Sequence, residues 1–514
     1  MSSRTGKVGL GRRPLQIFWD VHAMAGVLAG LVLHVMFFAG VFSLFYDDLT
    51  VFQEPWPNAA GAPKPVAELI APVIREHHLE GKTIDVALPV PRRPAIHMHY
   101  HREDGTESPE MRIDTRSGVV TPVRSHLAGT MVQLHYLYHE RFPSGIYIAG
   151  LFGGALLLAL VTGLLIHLRD LVRELHQFRP FHKPRVLWAD AHKVLGVFGL
   201  PFQIIIGFTG TMLCLGPLFL AAFVKPVFGG DKGAAERALY GGATVPAASK
   251  NMAAPLALDE ILARGARAVP GLAPNYVHIS NYGDAEGTAE LYGSAPGALF
   301  GRARILVRMR DGEVLGVSAP ATEKAGQALS RYIYGLHLVY FGGMGIKIIY
   351  AILGLCGCVT ILSGNWLWIR KRWALPVDRV GRVLERLTVA SGAGACFGTA
   401  MFFCANRLIP HAVTTREDWE SVAFFGTWAL CFVWCALRKS ALQSWVDLLL
   451  ASGVLFAMMP FLTTITWGLR AVGFIDGALV VLGAALLGGG ALLRARMAAA
   501  DAPKPAVAAV EGAS

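Results

Sequence analysis

Residues 134–142 read LHYLYHERF, residues 163–170 read GLLIHLRD, and residues 188–196 read WADAHKVLG. These three segments border two long apolar runs, so their histidines lie at or just inside the ends of hydrophobic stretches. The histidines are His135, His139, His167 and His192. An ionisable side chain at membrane depth is costly unless it is paired or binds a ligand. The pattern therefore predicts a functional site inside a membrane protein.

The composition agrees with a membrane location. The chain has 514 residues, of which 54% are hydrophobic and 16% charged, whereas about a quarter of the residues of a soluble protein are charged. Apolar stretches of roughly 20 residues, the length that crosses a bilayer, predict eight spans. They are 22–46, 147–168, 192–223, 343–369, 388–405, 421–437, 445–467 and 473–493. The expected fold class is an α-helical polytopic membrane protein.

The orientation follows from lysine and arginine clusters in the short connections. Such clusters precede the first span, follow the eighth, and lie between the second and third, the fourth and fifth, and the sixth and seventh. Basic loops stay in the cytoplasm, so both termini are predicted to be cytoplasmic. The net charge of +11 then reflects topology and lipid contact, and we expect no nucleic-acid partner. Residues 1–21 form a cytoplasmic leader, and residues 497–514 a disordered tail.

Two long segments, 47–146 and 224–342, fall on the far side of the membrane. Each begins with a helical pattern, at 65–79 and at 256–269, and continues with alternating strand patterns that end after a DTRSG or RDG turn. The same module, a helix with a small antiparallel sheet, is therefore predicted twice.

The repeat continues into the spans. WDVHAMAG, which begins at Trp19, matches WADAHKVLG, so that His22 corresponds to His192. QLHYLYH before the second span matches GLHLVYF before the fourth, so that His135 corresponds to His337. The region 388–493 has neither the histidines nor the modules, and we expect an appended four-helix unit there.

Because successive spans alternate in direction, the histidines separate into two groups. His22, His167 and His192 collect near the cytoplasmic face; His135, His139 and His337 collect near the outer face. His34 lies about 18 Å further along its helix than His22 and has no counterpart in the second half. Two groups at two depths favour two metal centres, since imidazole is the commonest metal ligand. The alternative is that each histidine is an interfacial or helix–helix hydrogen-bonding residue.

The motifs together resemble the PepSY-associated transmembrane family, and within it the bacterial inner-membrane ferric-siderophore reductases. The resemblance spans about residues 15–373 and rests on six segments: WDVHAMAGVLAG, LHYLYHERF, GLLIHLRD, WADAHKVLGVFGLPFQ, YGLHLVYFGG and SGNWLWIRKRW. It implies two PepSY-like periplasmic modules and an inner-membrane cytochrome with two b haems. It also implies that electrons pass to a periplasmic ferric chelate, such as a ferric siderophore, and that ferrous iron is released.

Carried onto this chain, the resemblance assigns the inner haem to His22 and His192, with His167 as a rival for one place. It assigns the outer haem to His337 with either His135 or His139. His34 is expected to have a structural or substrate-path role, and Gln203 stands where the family pattern leads us to expect a histidine. No catalytic residue is assigned.

The strand IHMHYH at 96–101 places His97, His99 and His101 on one face. These residues are candidates for transient iron binding, against the alternative of a solvated histidine-rich strand, since no carboxylate is spaced with them. Contacts to an anionic chelate are expected from residues near the outer face, namely Arg92, Arg93, Tyr138 and Arg141.

No nucleotide-binding loop is recognisable, so the electrons are expected from a cytoplasmic partner or from quinol. The seven cysteines all fall within predicted spans, which leaves no extramembrane disulfide. A second functional hypothesis is a non-enzymatic PepSY-type sensor or protease-regulating protein, in which the histidines are structural.

Overall fold

The computed structural model describes residues 12–57, 59–137, 144–168, 179, 184–372 and 379–501. Tyr138, His139 and Arg141 lie outside these residues. The chain divides into two compact units, Met1–Trp368 and Ile369–Ser514. Eight of the described helices are long and apolar enough to cross a membrane, four in each unit. The chain is thus a polytopic helical membrane protein with small α+β modules.

Eleven helices are described up to the end of the fourth span, and α1, α5, α7 and α11 are the spans. In chain order they are α1 (Arg12–Ser43), α2 (Tyr46–Gln53), α3 (Val66–Glu76), α4 (Leu127–His135), α5 (Ser144–His167), α6 (Pro184–Phe198), α7 (Leu200–Phe228), α8 (Lys232–Tyr240), α9 (Leu258–Ala268), α10 (Ala325–Leu338) and α11 (Gly343–Arg372). The predicted third span, 192–223, is divided between α6 and α7 at Gly199. Pro201 follows this break and has no N–H group to continue the helical hydrogen bonds.

All eight described strands form one antiparallel sheet in the order β4-β3-β2-β1-β5-β6-β7-β8. The strands are β1 (Ile84–Ala87), β2 (Ile96–Tyr100), β3 (Met111–Ile113), β4 (Val120–Pro122), β5 (Ala273–Ser280), β6 (Thr288–Ser294), β7 (Arg302–Arg308) and β8 (Val314–Ser318). The sequence repeat predicts two modules with separate sheets. In the structure the two sheets are continuous, because β1 pairs with β5 and places Asp85 opposite His278.

The core of this sheet lies between one of its faces and the helices α3 and α9. Alternate strand residues such as Val86, Val277 and Leu291 are fully buried there. The two helices are joined where α3 begins, because Asp259 of α9 accepts hydrogen bonds from the Val66 and Ala67 amides at 3.0 and 2.8 Å. A carboxylate is favourable at a helix N-terminus, so this contact ties together the two halves of the repeat.

The second unit is helical throughout its described residues. It contains α12 (Arg379–Leu408), α13 (Arg416–Leu437), α14 (Ala441–Ala457), α15 (Met459–Trp467), a 3₁₀ turn (Leu469–Ala471) and α16 (Phe474–Asp501). The sequence predicts a disordered tail that begins at residue 497, whereas in the structure α16 continues to Asp501. Residues 502–514 lie outside the described part of the chain.

A buried polar network joins the helix ends of this unit. Its members are Asn406, Arg407, Arg416, Glu420, Thr463 and Asp476, each at most 2% exposed. Glu420 accepts a hydrogen bond from Asn406 and forms an ion pair with Arg416, both at 3.0 Å. Arg407 donates to Thr463 at 2.9 Å, and Thr463 donates to Asp476 at 2.6 Å. The charges therefore compensate one another within an apolar surrounding.

Candidate functional site

The structure brings together His22 of α1 and His192 of α6. Their ring centroids are 6.1 Å apart and their planes are inclined by 70°. His22 Nδ1 lies 2.8 Å from the Ala159 carbonyl oxygen, and His192 Nδ1 lies 2.8 Å from the Thr360 carbonyl oxygen. Because a carbonyl oxygen only accepts, each Nδ1 carries the hydrogen and each Nε2 keeps its lone pair.

A second pair consists of His135 at the end of α4 and His337 in α10. Their ring centroids are 5.9 Å apart, with an interplanar angle of 30°. His135 Nδ1 donates to the Met36 carbonyl oxygen at 2.7 Å. His337 Nδ1 lies 2.9 Å from the Thr209 hydroxyl oxygen. That hydroxyl donates to a backbone carbonyl of its own helix at 2.6 Å, so it accepts from His337.

The four rings thus share one arrangement. Every Nδ1 is bound to an oxygen of another helix, and within the described residues no hydrogen bond reaches any of the four Nε2 atoms. Two imidazoles that bind one metal ion from opposite sides, at about 2 Å each, have ring centres roughly 6 Å apart. A ligating histidine typically donates its other N–H to a carbonyl or hydroxyl. Both pairs therefore have a ring spacing compatible with two imidazoles bound to one metal ion.

Glycines on neighbouring helices make room for all four rings. A Cβ at these glycines would lie within 3.0 Å of the imidazole. The distances are 3.0 Å for Gly163 to His22, 2.9 Å for Gly364 to His192, 2.8 Å for Gly40 to His135 and 2.9 Å for Gly210 to His337. Any side chain at these positions would displace the histidine.

The glycines follow the internal repeat. Gly40 and Gly210 stand the same number of residues after His22 and His192, respectively. Gly163, on α5, has its counterpart in Gly364, on α11, which is the corresponding span of the second half. Each histidine pair takes one residue from each half, so the site has approximate two-fold symmetry. The sequence analysis missed these glycines, although extending the repeat alignment beyond the histidines would have found them.

Unusual backbone conformations follow both histidines of the second pair. Leu137 has φ 58° and Val339 has φ 56°, and each lies two residues after its histidine. Left-handed backbone costs about 1–2 kcal/mol in a residue with a side chain, and a β-branched residue there is a clear outlier. Leu137 follows the end of α4 by two residues, and Val339 directly follows the last residue of α10.

His167 and His34 lie outside the two pairs. His167 packs edge-on against Trp19, with ring centroids 6.3 Å apart. His34 is 3% exposed and stacks on Phe38 at 6.3 Å. Among the described residues, neither ring nitrogen of His34 has a hydrogen-bond partner. Gln203 is also buried, and its amide nitrogen has no partner among the described residues.

The three histidines of the segment 96–101 do not have the same hydrogen-bond partners. His97 Nδ1 bonds to Glu110 at 2.8 Å, whereas His99 and His101 converge on Asp85 of the adjacent strand. The expectation that no carboxylate accompanies these histidines is therefore wrong. It failed because Asp85 is distant in sequence and is brought opposite His99 by the pairing of β1 with β2.

Hydrogen bonds determine the charge of Asp85 and of its neighbour on β5. Burial by itself raises the pKa of Asp85, but hydrogen bonds from His278 and Tyr276 outweigh it and lower the pKa to about 2. The hydrogen bond with Asp85 in turn raises the pKa of His278, against the effect of burial. Of the arginines proposed for chelate contacts, Arg92 forms an ion pair with Asp48, and Arg93 with Asp47.

Eight helices that are long and apolar enough to cross a membrane, together with small α+β modules, define the class of this protein. The family model described as the PepSY-associated TM region matches residues 19–371, and the chain belongs to this family. This match confirms the family resemblance seen in the sequence. It includes both histidine pairs and ends before α12.

Among the relatives is a protein of Pseudomonas aeruginosa described as uncharacterized. It is 28% identical over 309 residues, which cover 58% of this chain and 77% of the relative.

Proposed function

We propose that this protein is a haem-containing reductase of the bacterial inner membrane. It passes electrons to a periplasmic ferric chelate, with a ferric siderophore as the favoured class, and releases ferrous iron. The observation that carries the proposal is the pair of facing histidines, found twice, with every Nδ1 bound to an oxygen and every Nε2 left for a metal. Structural histidines would not need this repeated orientation.

The residues present fit two b haems. His22 and His192 would hold one, and His135 and His337 the other; each haem supplies a one-electron couple when bound. The hydrogen bonds at Nδ1 fix each ring and raise its basicity. Apolar side chains of the spans exclude water, and the four glycines leave space beside the rings. No Cys or carboxylate competes within either described pair, which disfavours a zinc site.

The positions of the pairs support transfer across the membrane. His22 contributes to one pair, and Met36, which binds His135 of the other pair, follows His22 by fourteen residues on α1. At 1.5 Å per residue the two positions are about 20 Å apart along this helix. With both termini in the cytoplasm, as the basic loops favour, the first pair faces a cytoplasmic or quinol donor. The second pair then faces the periplasm and the chelate.

Haem content measured on histidine variants tests the proposal. The purified wild-type protein should show a reduced-minus-oxidised b-type spectrum and two haems per chain. His22→Ala and His337→Ala should each retain one haem, and the double variant none. His167→Ala is the matched control and should retain two. The variants that lose haem should also lose reduction of a ferric chelate, followed with a ferrous-iron indicator.

Two results would overturn the proposal. One is a wild-type protein that contains less than one haem per chain under conditions of full haem supply. The other is retention of both haems in His22→Ala and His337→Ala. Either result would leave the alternative, a PepSY-type sensor or protease-regulating protein with structural histidines.

A further inference from the structure

A second group of metal-binding side chains lies outside the membrane, where the two halves of the sheet join. Asp85 stands on β1, on the sheet face opposite the apolar core, and is 4% exposed. His99 and His101 approach it from the β2 side, and Tyr276 and His278 approach it from β5. One buried carboxylate is therefore surrounded by side chains from both modules.

Three of these groups offer ligand atoms to one point. Asp85 Oδ2 lies 3.0 Å from His101 Nε2 and 3.5 Å from His99 Nε2, and the three ligand atoms all lie within 4.8 Å of one another. The ligand atoms of a first-row transition metal, each bound at about 2.1 Å, stand about 3.0 to 3.4 Å apart. The two distances from Asp85 Oδ2 to the imidazole nitrogens are close to this spacing.

We propose that Asp85, His99 and His101 form a binding site for a divalent transition-metal ion. Two imidazoles and one carboxylate, with further positions open, are the ligand set that suits ferrous iron. The site itself follows from the geometry alone. The assignment of Fe²⁺ as its natural occupant rests on the proposed function, which releases Fe²⁺ on the same side of the membrane.

The remaining contacts of Asp85 orient it for this role. Its other oxygen, Oδ1, accepts hydrogen bonds from the Tyr276 hydroxyl and from His278 Nδ1, the latter at 2.7 Å. These bonds leave Oδ2 directed at His99 and His101. Outer partners of this kind hold a ligating carboxylate in place. The first module thus supplies the ligands and the second module positions them, which is possible because β1 pairs with β5.

The site is open to solvent. The side chains of His99 and His101 are 28% and 36% exposed, so an ion can reach them without unfolding of the sheet. Glu107, which is 65% exposed, lies 3.9 Å from His99 Nε2 and adds negative charge at the entrance. Internal hydrogen bonds account for the positions of Tyr276, His278 and His101 around Asp85. They do not require the His99 imidazole nitrogen to face the same oxygen, Oδ2, as His101 does.

Equilibrium dialysis of the haem-loaded, full-length protein against Zn²⁺, followed by elemental analysis, tests the site. The wild type should bind one Zn²⁺ per chain. His99→Gln and His101→Gln should each bind this ion at least about tenfold more weakly than the wild type. Tyr276→Phe should weaken binding roughly tenfold while leaving all three ligands in place. His97→Gln, on the same strand, and His77→Gln, at an exposed position, are controls that should bind as the wild type does.

Equal Zn²⁺ binding by the wild type, His99→Gln and His101→Gln would refute the site. Anaerobic dialysis against Fe²⁺ tests the occupant separately, and absence of Fe²⁺ binding at the same stoichiometry would refute its assignment. Failure of the site and failure of the proposed function are distinguishable. His101→Gln should lose the ion with an unchanged haem spectrum, whereas His22→Ala should lose one haem and keep the ion.

Discussion

Gly163 of α5 lies directly against the imidazole of His22 of α1, so that a Cβ at position 163 would stand 3.0 Å from the ring carbon Cε1. The contact explains why α5 has a glycine at position 163. The ring of His22 needs the space to keep its hydrogen bond to Ala159 and to face His192.

Substitution of Gly163 should remove one of the proposed haems although none of the proposed haem ligands is replaced. In Gly163→Val the added side chain should displace His22, and we expect one haem per chain instead of the two that the proposed function requires of the wild type, measured as the pyridine haemochrome. Gly154→Val is the control on the same helix, because a Cβ at position 154 meets nothing within 4 Å. If Gly163→Val retained two haems with an unchanged spectrum, the space beside His22 would not be needed for haem binding.

The hydrogen bond between Thr209 and His337 should tune one haem only. Thr209→Val keeps the shape of the side chain but removes the acceptor for His337 Nδ1. The imidazole then becomes a weaker electron donor, which favours reduced iron. A redox titration should show a higher midpoint potential for one haem and no change for the other. Thr209→Ser should behave as the wild type; a shift of neither potential, or of both, would contradict the assignment.

The turn at Asp114 should make the first module sensitive to acid. Asp114 Oδ1 accepts hydrogen bonds from the Ser117 amide at 2.8 Å and the Ser117 hydroxyl at 2.9 Å. Burial alone raises the pKa of Asp114, but these and neighbouring hydrogen bonds lower it to about 2. A pKa below that of the unfolded chain stabilises the fold above about pH 4. This contribution is lost as the pH falls from about 4 towards 2.

Asp114→Ala should therefore reduce the free energy of local unfolding at pH 6. The loss should be smaller at pH 3. Hydrogen exchange of residues 111–122, measured by mass spectrometry and corrected for intrinsic rates, gives both values. Glu76→Ala, at an exposed position of α3, is the control. The pKa argument would be wrong if the effect of Asp114→Ala were the same at both pH values.

The ion pair between Arg416 and Glu420 should stabilise the second unit. Both side chains are 1% exposed, so Glu420→Ala leaves a guanidinium charge buried without its carboxylate. Loss of one partner of a buried pair costs about 3–5 kcal/mol, and the midpoint of thermal unfolding should fall. Asp418→Ala, two residues away and exposed, should not change it. Haem content should remain at two per chain, because both histidine pairs belong to the first unit.

Much of the architecture could be predicted from local patterns. Apolar runs long enough to cross a bilayer predict the eight spans, and the alternating segments around Ile96 and Arg302 predict strands. The family could also be recognised, because its motifs are short and local. Each of these predictions depends on residues close together in the chain, where periodicity reports directly which side chains are buried.

The pairing of the histidines could not be predicted in the same way. The sequence offers His139 as an alternative to His135 opposite His337, and His167 as a rival for one place in the inner pair. The choice depends on how each helix is rotated about its own axis, and contacts with other helices set that rotation. The structure pairs His135 with His337 and directs His167 towards Trp19.

The sequence by itself determined that this is a membrane protein built from two matching halves, with histidines at two depths of the spans. Only the tertiary structure decided which histidines face one another, which glycines accommodate them, and that the two modules share one sheet. The pairing of β1 with β2 placed Asp85 beside His99 and His101, and the pairing of β1 with β5 placed it opposite His278. Hydrophobic periodicity records burial within one element, whereas these sites are formed by atoms from segments far apart in the chain.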